Sequence, residues 1–263
     1  MHTAENDSQG VASEGVLKRE ETSASGFGAK RAVQIFLSFW MSSVGIGFAL
    51  GACVSLVHFV RFRNVHSMDL AVATAIGSVA MLLGTAIAWN MALHSFPARA
   101  GDEFNYALGL CPSTAARIFM AALIGLGLFL LIGLPILRIF PLASGVTVNG
   151  LAAASSTPGW PRVSWAFYVV AVTPACEELI FRGILFAGLL RSSSVRVAAV
   201  VTTLLFVLLH VSGLIAYPAA LISILALGAA AQWVRISSRA LLPAIALHLI
   251  YNLASVVVVS LQP

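Results

Sequence analysis

Seven apolar runs, each close to the length needed to cross about 30 Å of hydrocarbon, recur near residues 33–60, 69–94, 116–137, 165–190, 196–211, 214–234 and 241–261. A water-soluble fold could not bury so much apolar surface, since 59% of the 263 residues are hydrophobic, 10% are charged and mean hydropathy is +0.95. The pattern predicts an all-α, polytopic membrane helical bundle of about seven transmembrane helices, the fifth of them short.

Residues 1–30 are rich in Ser, Gly and Glu and read as a disordered tail. The tetrapeptide Leu50-Gly51-Ala52-Cys53 resembles a lipoprotein cleavage site, but the apolar run continues past it, so the first helix is expected to remain as an anchor. Basic residues orient the bundle. With the N-terminus in the cytoplasm, inner segments hold ten of them: Lys18, Arg19, Lys30, Arg31, Arg99, Arg117, Arg191, Arg196, Arg235 and Arg239. Outer segments hold Arg61, Arg63, Arg138 and Arg162, and Arg182 falls inside the fourth helix. The net charge of +5 is then membrane electrostatics and needs no nucleic acid partner. Cys53, Cys111 and Cys176 are too scattered for a disulfide framework or a metal-binding CxxC and read as packing residues. Within residues 98–117 a short surface helix, broken at Pro112, is expected before Ser113 or Thr114 caps the third span. The Gly/Ser/Pro-rich segment 138–164 reads as a flexible outer loop.

The fourth run contains what the others lack: "TPACEELIFRG" places Glu177, Glu178 and Arg182 inside a membrane helix. Three such charges cost about 7 to 10 kcal/mol on insertion scales. The apolar residues of the run offset about 5 kcal/mol, so pairing or water must supply the rest. Glu178 and Arg182, four apart, share a helix face and suit an ion pair, whereas Glu177 lies about 100° away and has no local partner. Two further runs carry polar groups one turn apart, Phe206 and His210 in the fifth and His248 and Asn252 in the seventh. Counting about 1.5 Å per residue from the cytoplasmic ends places Glu177 about 20 Å, His210 about 21 Å, His248 about 10 Å and Asn252 about 16 Å deep. Convergence within the inner to middle bilayer is therefore expected. Pro174 should free the carbonyl of Val170 and bend the helix beside Glu177.

A carboxylate facing a histidine in a confined cavity can hold and deprotonate a water. A second His with an Asn on one helix face can donate hydrogen bonds to the oxyanion formed when that water attacks a carbonyl. In an alternative arrangement Glu177, His210 and His248 hold a divalent metal such as zinc, although the HExxH spacing is absent. No cofactor is demanded by the metal-free version.

In this order, EExxxR (Glu177, Glu178, Arg182), FxxxH (Phe206, His210) and HxxxN (His248, Asn252) resemble the CPBP family, the CAAX-protease and bacteriocin-processing intramembrane proteases, over about residues 160–252. The resemblance implies that Glu177 is the general base on a water also held by His210, that His248 and Asn252 form the oxyanion site or position the water, and that Glu178 and Arg182 support them. Members have been regarded both as metalloproteases and as metal-independent glutamate proteases. The chain then divides into a cytoplasmic tail (1–30), N-terminal membrane helices and loops (31–159) and CPBP-like catalytic helices (160–263). The partners so implied are the bilayer and a membrane-associated peptide or protein substrate, and the compact size without long eukaryotic targeting segments points to a bacterial inner membrane as the setting. Two other classes use similar residues. One is a non-catalytic immunity or chaperone-like protein that binds a peptide; the other is a proton-coupled transporter, for which the featureless first half shows no matching repeat.

Overall fold

The computed structural model describes residues 28–62, 70–95, 102–140 and 159–261. Among the described residues every regular element is a helix. Two long antiparallel helices, α1 (Ala29–Phe62) and α2 (Leu70–Ser95), pack along their length. A short α3 (Asp102–Leu108) follows, and α4 runs over Ala115–Ile139 with one π-helical turn at Phe129–Gly133. Residues 160–190 form α5, in which α-helical turns alternate with π-helical ones at Tyr168–Val172 and Leu179–Leu185. The remaining helices are α6 (Val195–Leu209), α7 (Val211–Ala216), α8 (Ala220–Ser238) and α9 (Leu241–Ser260).

Among the described residues five helices are long and apolar enough to cross a membrane: Ala29–Arg61, Ala71–Ser95, Ala115–Ile139, Ala220–Ser238 and Leu241–Ser260. The chain is an integral membrane protein. Helix α5 is long enough but carries Glu177, Glu178 and Arg182 in its interior, and α6 is apolar but has 15 residues, about 22 Å. Residues 1–27 of the expected 1–30 tail, most of the 138–164 loop and residues 63–69 and 96–101 lie outside the described residues, and the tail's last two positions, Ala29 and Lys30, already belong to α1.

Local chemistry moves several expected boundaries. The run expected over 214–234 is interrupted at its start, since the backbone of His210 leaves the helical region (φ −91°, ψ 7°) and the Tyr217-Pro218 turn precedes α8. Proline disfavours helical geometry in the residue before it, and Tyr217 sits at φ −143°, ψ 80°. Helix α3 gives way at Gly109, ahead of Pro112. Gly109 has φ +74°, and a Cβ there would lie 2.6 Å from Nε of Arg235. Thr114 caps α4, accepting from the backbone N–H of Arg117 at 3.4 Å. Cys53 lies within the unbroken α1, and Cys176 is buried in the core.

Two apolar cores flank the centre. The first joins α1, α2 and α3 to α5 and α6 through Phe36, Phe39, Phe104, Phe181 and Phe206. The second joins α4, α8 and α9 through Phe129, Leu227, Leu247 and Tyr251. At one end of the bundle the N–H of Ala29 donates to Ser192 Oγ (3.3 Å) and Arg31 Nε to Ser95 Oγ (2.8 Å), so Lys30, Arg31, Arg191 and Arg196 gather there. At the other end Arg162 donates to the carbonyl of Ser260 (2.8 Å). Arg235 departs from the expected surface role. It is 1% exposed and donates to the carbonyls of Arg182 (3.2 Å) and Ala107 (3.2 Å), so it braces helices instead of marking a membrane face.

Candidate active site

A cavity of about 510 Å³ opens between the two cores, walled by Phe206 and Leu209 on one side and by Phe129, Leu227 and Tyr251 on the other. Glu177, His210, His248 and Asn252 all line it. Helix α5 delivers Glu177, the end of α6 delivers His210, and α9 delivers His248 and Asn252 one turn apart. Residues far apart in the sequence thus meet on one wall.

Glu177 is the centre of the arrangement. Its Oε1 lies 4.0 Å from His210 Nε2 and its Oε2 lies 3.9 Å from His248 Nε2. Both gaps exceed a hydrogen bond. Oε2 is buried and has no hydrogen-bond partner among the described residues.

The far nitrogen of each imidazole has a partner that orients the near one. His210 Nδ1 lies 2.8 Å from the carbonyl of Phe206, which can only accept, so Nδ1 carries the proton and a neutral ring turns its Nε2 lone pair toward Glu177. His248 Nδ1 donates to Glu178 Oε1 at 2.9 Å, so Nε2 of this ring faces Glu177, as a lone pair in the neutral ring and as a donor in the imidazolium. Glu178 therefore has two partners, His248 and, through the expected i,i+4 pair, Arg182 Nη1 at 3.0 Å. The guanidinium also donates to the carbonyl of Gly228 (2.8 Å) and stacks over the Phe206 ring, 4.5 Å from its centroid.

Glu178 and Arg182, both fully buried, do not line the cavity. They stand behind it and hold His248 and α8. The link from Glu178 to His248 spans 70 residues and has no signal in the spacing of either motif.

Depth counting placed Glu177 and His248 about 10 Å apart, yet their side chains meet. The count assumed that all helices start in one plane. Helix α9 instead begins inside the protein, where Ala240 and Leu241 are 1% and 2% exposed and the N–H of Leu241 donates to the carbonyl of Gly109 (2.6 Å).

The donor set of two imidazoles and one carboxylate is suited chemically to zinc. A four-coordinate zinc with bonds of about 2.0–2.1 Å holds its ligand atoms about 3.4 Å apart, closer than the 3.9 and 4.0 Å found here. Among the described residues no group of three or more His, Cys, Asp or Glu side chains is arranged to hold a metal ion. The residues as they stand do not fit such a centre.

Spacing alone had not singled out Tyr168, Thr173, Tyr217, Ser223 or Tyr251, which add hydroxyls to the cavity lining. Tyr251, between His248 and Asn252 on α9, was the most accessible of these to a reading of helix faces.

Residues 158–254 match the model of the family described as type II CAAX prenyl endopeptidase Rce1-like. Over this segment the chain is similar to that family of proteases, and the match falls where the three motifs resemble the CPBP family. The matched residues contain α5 to α8 and most of α9. The comparisons with curated proteins and with solved structures gave no match.

Proposed function

We propose that this protein is an intramembrane endopeptidase of the CPBP type that hydrolyses a peptide bond in a membrane-associated protein or peptide, with Glu177 as general base. The observation that carries the reading is a carboxylate between two imidazole Nε2 atoms, on the wall of a cavity large enough to admit a few residues of extended chain. A water about 2.8 Å from both Glu177 Oε1 and His210 Nε2 fits their 4.0 Å separation when the angle at the water is near 90°.

In the reaction Glu177 takes a proton from that water as its oxygen attacks the scissile carbonyl carbon. The oxyanion then accepts hydrogen bonds from His248, as an imidazolium with Nε2–H, and from the Asn252 amide. Collapse breaks the C–N bond, and the proton held by Glu177 passes to the departing amine. Glu178 and Arg182 position His248 without touching the substrate. No step needs a metal, and full activity is expected to survive extended treatment with EDTA and 1,10-phenanthroline. Loss of activity restored by zinc would assign Glu177, His210 and His248 to a metal.

The proposed topology is seven crossings with the N-terminus in the cytoplasm of a bacterial inner membrane, α5 and α6 completing the set begun by the five apolar helices. Comparing protein C-termini across the membrane proteome of native cells carrying wild type or Glu177→Ala, at equal abundance, tests the activity. Tails shortened only by wild type establish proteolysis and identify the substrate class. Matching proteomes under conditions that require the protein would instead favour a peptide-binding, non-cutting role.

A further inference from the structure

Helix α5 winds in π register just before the glutamates, with the N–H of Thr173 donating to the carbonyl of Tyr168, five residues back. The next pair in that register is residue 174 with residue 169. Residue 174 is proline and has no N–H to give. The carbonyl of Val169 is nevertheless satisfied, because Asn252 Nδ2 of α9 donates to it at 2.9 Å. The α-helical expectation puts an orphaned carbonyl at Val170; the wider turn withdraws the backbone donor from Val169 too, because Thr173 turns to Tyr168.

We infer that Asn252 is a positioning residue, which sets the place of Glu177 by supplying from α9 the hydrogen bond that Pro174 withholds from Val169. This rests on Glu177 being the reactive carboxylate. Helix α9 grips α5 at two levels: His248 on the Glu178 side chain and Asn252 on the Val169 carbonyl. Glu177 lies between these points in the sequence of α5, three residues after Pro174. The four-residue spacing of His248 and Asn252 on one face of α9 is what lets a single helix hold both.

Only one amide hydrogen of Asn252 is used in the brace. The second remains for the oxyanion, and the two roles separate by experiment. If Asn252 acts through Val169, its importance depends on Pro174; if it acts only on substrate, it does not. Alanine in place of Pro174 supplies a backbone N–H, which makes the Asn252 donor to this stretch dispensable.

The experiment is a double-mutant cycle of Pro174→Ala and Asn252→Ala in the full-length protein in detergent. Two readouts need no substrate. One is the melting midpoint. The other is the rate at which dicyclohexylcarbodiimide, an apolar carboxyl reagent, labels Glu177, followed by peptide mass spectrometry well below the melting midpoint. In the wild-type background Asn252→Ala is expected to lower the midpoint by several degrees and to change Glu177 labelling at least threefold. In the Pro174→Ala background both effects should shrink to a third or less. Equal effects in the two backgrounds, or no effect of Asn252→Ala on Glu177 labelling, would overturn the brace. The tie from Arg162 to Ser260 still fastens α5 to α9 when Asn252 is replaced, so folding does not hang on this bond alone.

Asn252→Asp needs no change at Pro174 and tests the same point if Pro174→Ala fails to fold. It keeps the shape but faces the carbonyl with an acceptor, and should disturb Glu177 labelling at least as much as alanine; wild-type labelling would sink the idea. Absent proteolysis with a coupled cycle would refute the enzyme reading and leave the brace. Proteolysis with an additive cycle would do the opposite.

Discussion

Glu177 and Glu178 are neighbours in sequence and face different surroundings. Glu177 lines the cavity, whereas Glu178 lies behind it, fully buried, with Oε1 held by both His248 and Arg182. Replacing them should therefore have different consequences. Glu177→Gln is expected to lower cleavage by about 10²- to 10⁴-fold, the range for loss of a general base, and to leave the melting midpoint within a few degrees of wild type. Glu178→Gln removes the anionic partner of a buried guanidinium, and breaking such a pair costs about 3–5 kcal/mol. Thermal melting should then separate the two variants before any substrate is known. A Glu178→Gln protein as stable as wild type would mean that Arg182 is satisfied elsewhere. At this scale the ion pair was legible, since positions four apart on a helix must share a face. The partner of His248 was not, because nothing local relates positions 178 and 248.

Helix α4 meets α9 closely where Gly125 faces the backbone of Leu247, one residue before His248. A methyl group at 125 would collide with the Leu247 carbonyl, whereas at Gly127 it would meet nothing within 4 Å. Gly127→Ala is accordingly expected to be neutral or to stabilise by up to about 0.5–1 kcal/mol, the helix-propensity gain. Gly125→Ala should destabilise by about 1–3 kcal/mol, the usual cost of overpacking, and should reduce activity by shifting His248. Melting curves and the cleavage assay on the two proteins check both statements; equal behaviour would mean that α4 and α9 do not approach as described. Helix existence and rough extent were readable from the apolar runs, because crossing the bilayer demands about 20 apolar residues. The break at His210 was not, since hydropathy continues smoothly through Leu208, Leu209 and Val211 while the backbone turns. The π turns of α5 were equally hidden: Pro174 was visible, but the carbonyl it orphans depends on winding that residue types do not encode.

Across the molecule, Lys30, Arg31, Arg191 and Arg196 lie toward one end of the bundle and Arg162 at the other, with Arg235 withdrawn into the interior. The expected topology puts Arg191 on the cytoplasmic face and Arg138 on the opposite face. In a background with Cys53 and Cys111 replaced by alanine, a membrane-impermeant maleimide should label Arg138→Cys in intact cells and Arg191→Cys only after permeabilisation. The reverse pattern would invert the orientation, and labelling of both from one side would change the number of crossings between them. The sequence by itself determined a helical membrane protein, because apolar runs of this length leave no other way to satisfy backbone polar groups in lipid. It also determined which residues were suspect, because charges in such runs are too costly to be idle. Only the tertiary structure decided that Glu177 sits between two histidines, that Glu178 holds one of them and that Asn252 reaches Val169. Those relations depend on where α9 starts and how α5 is wound, and both are set by contacts between helices far apart in the chain.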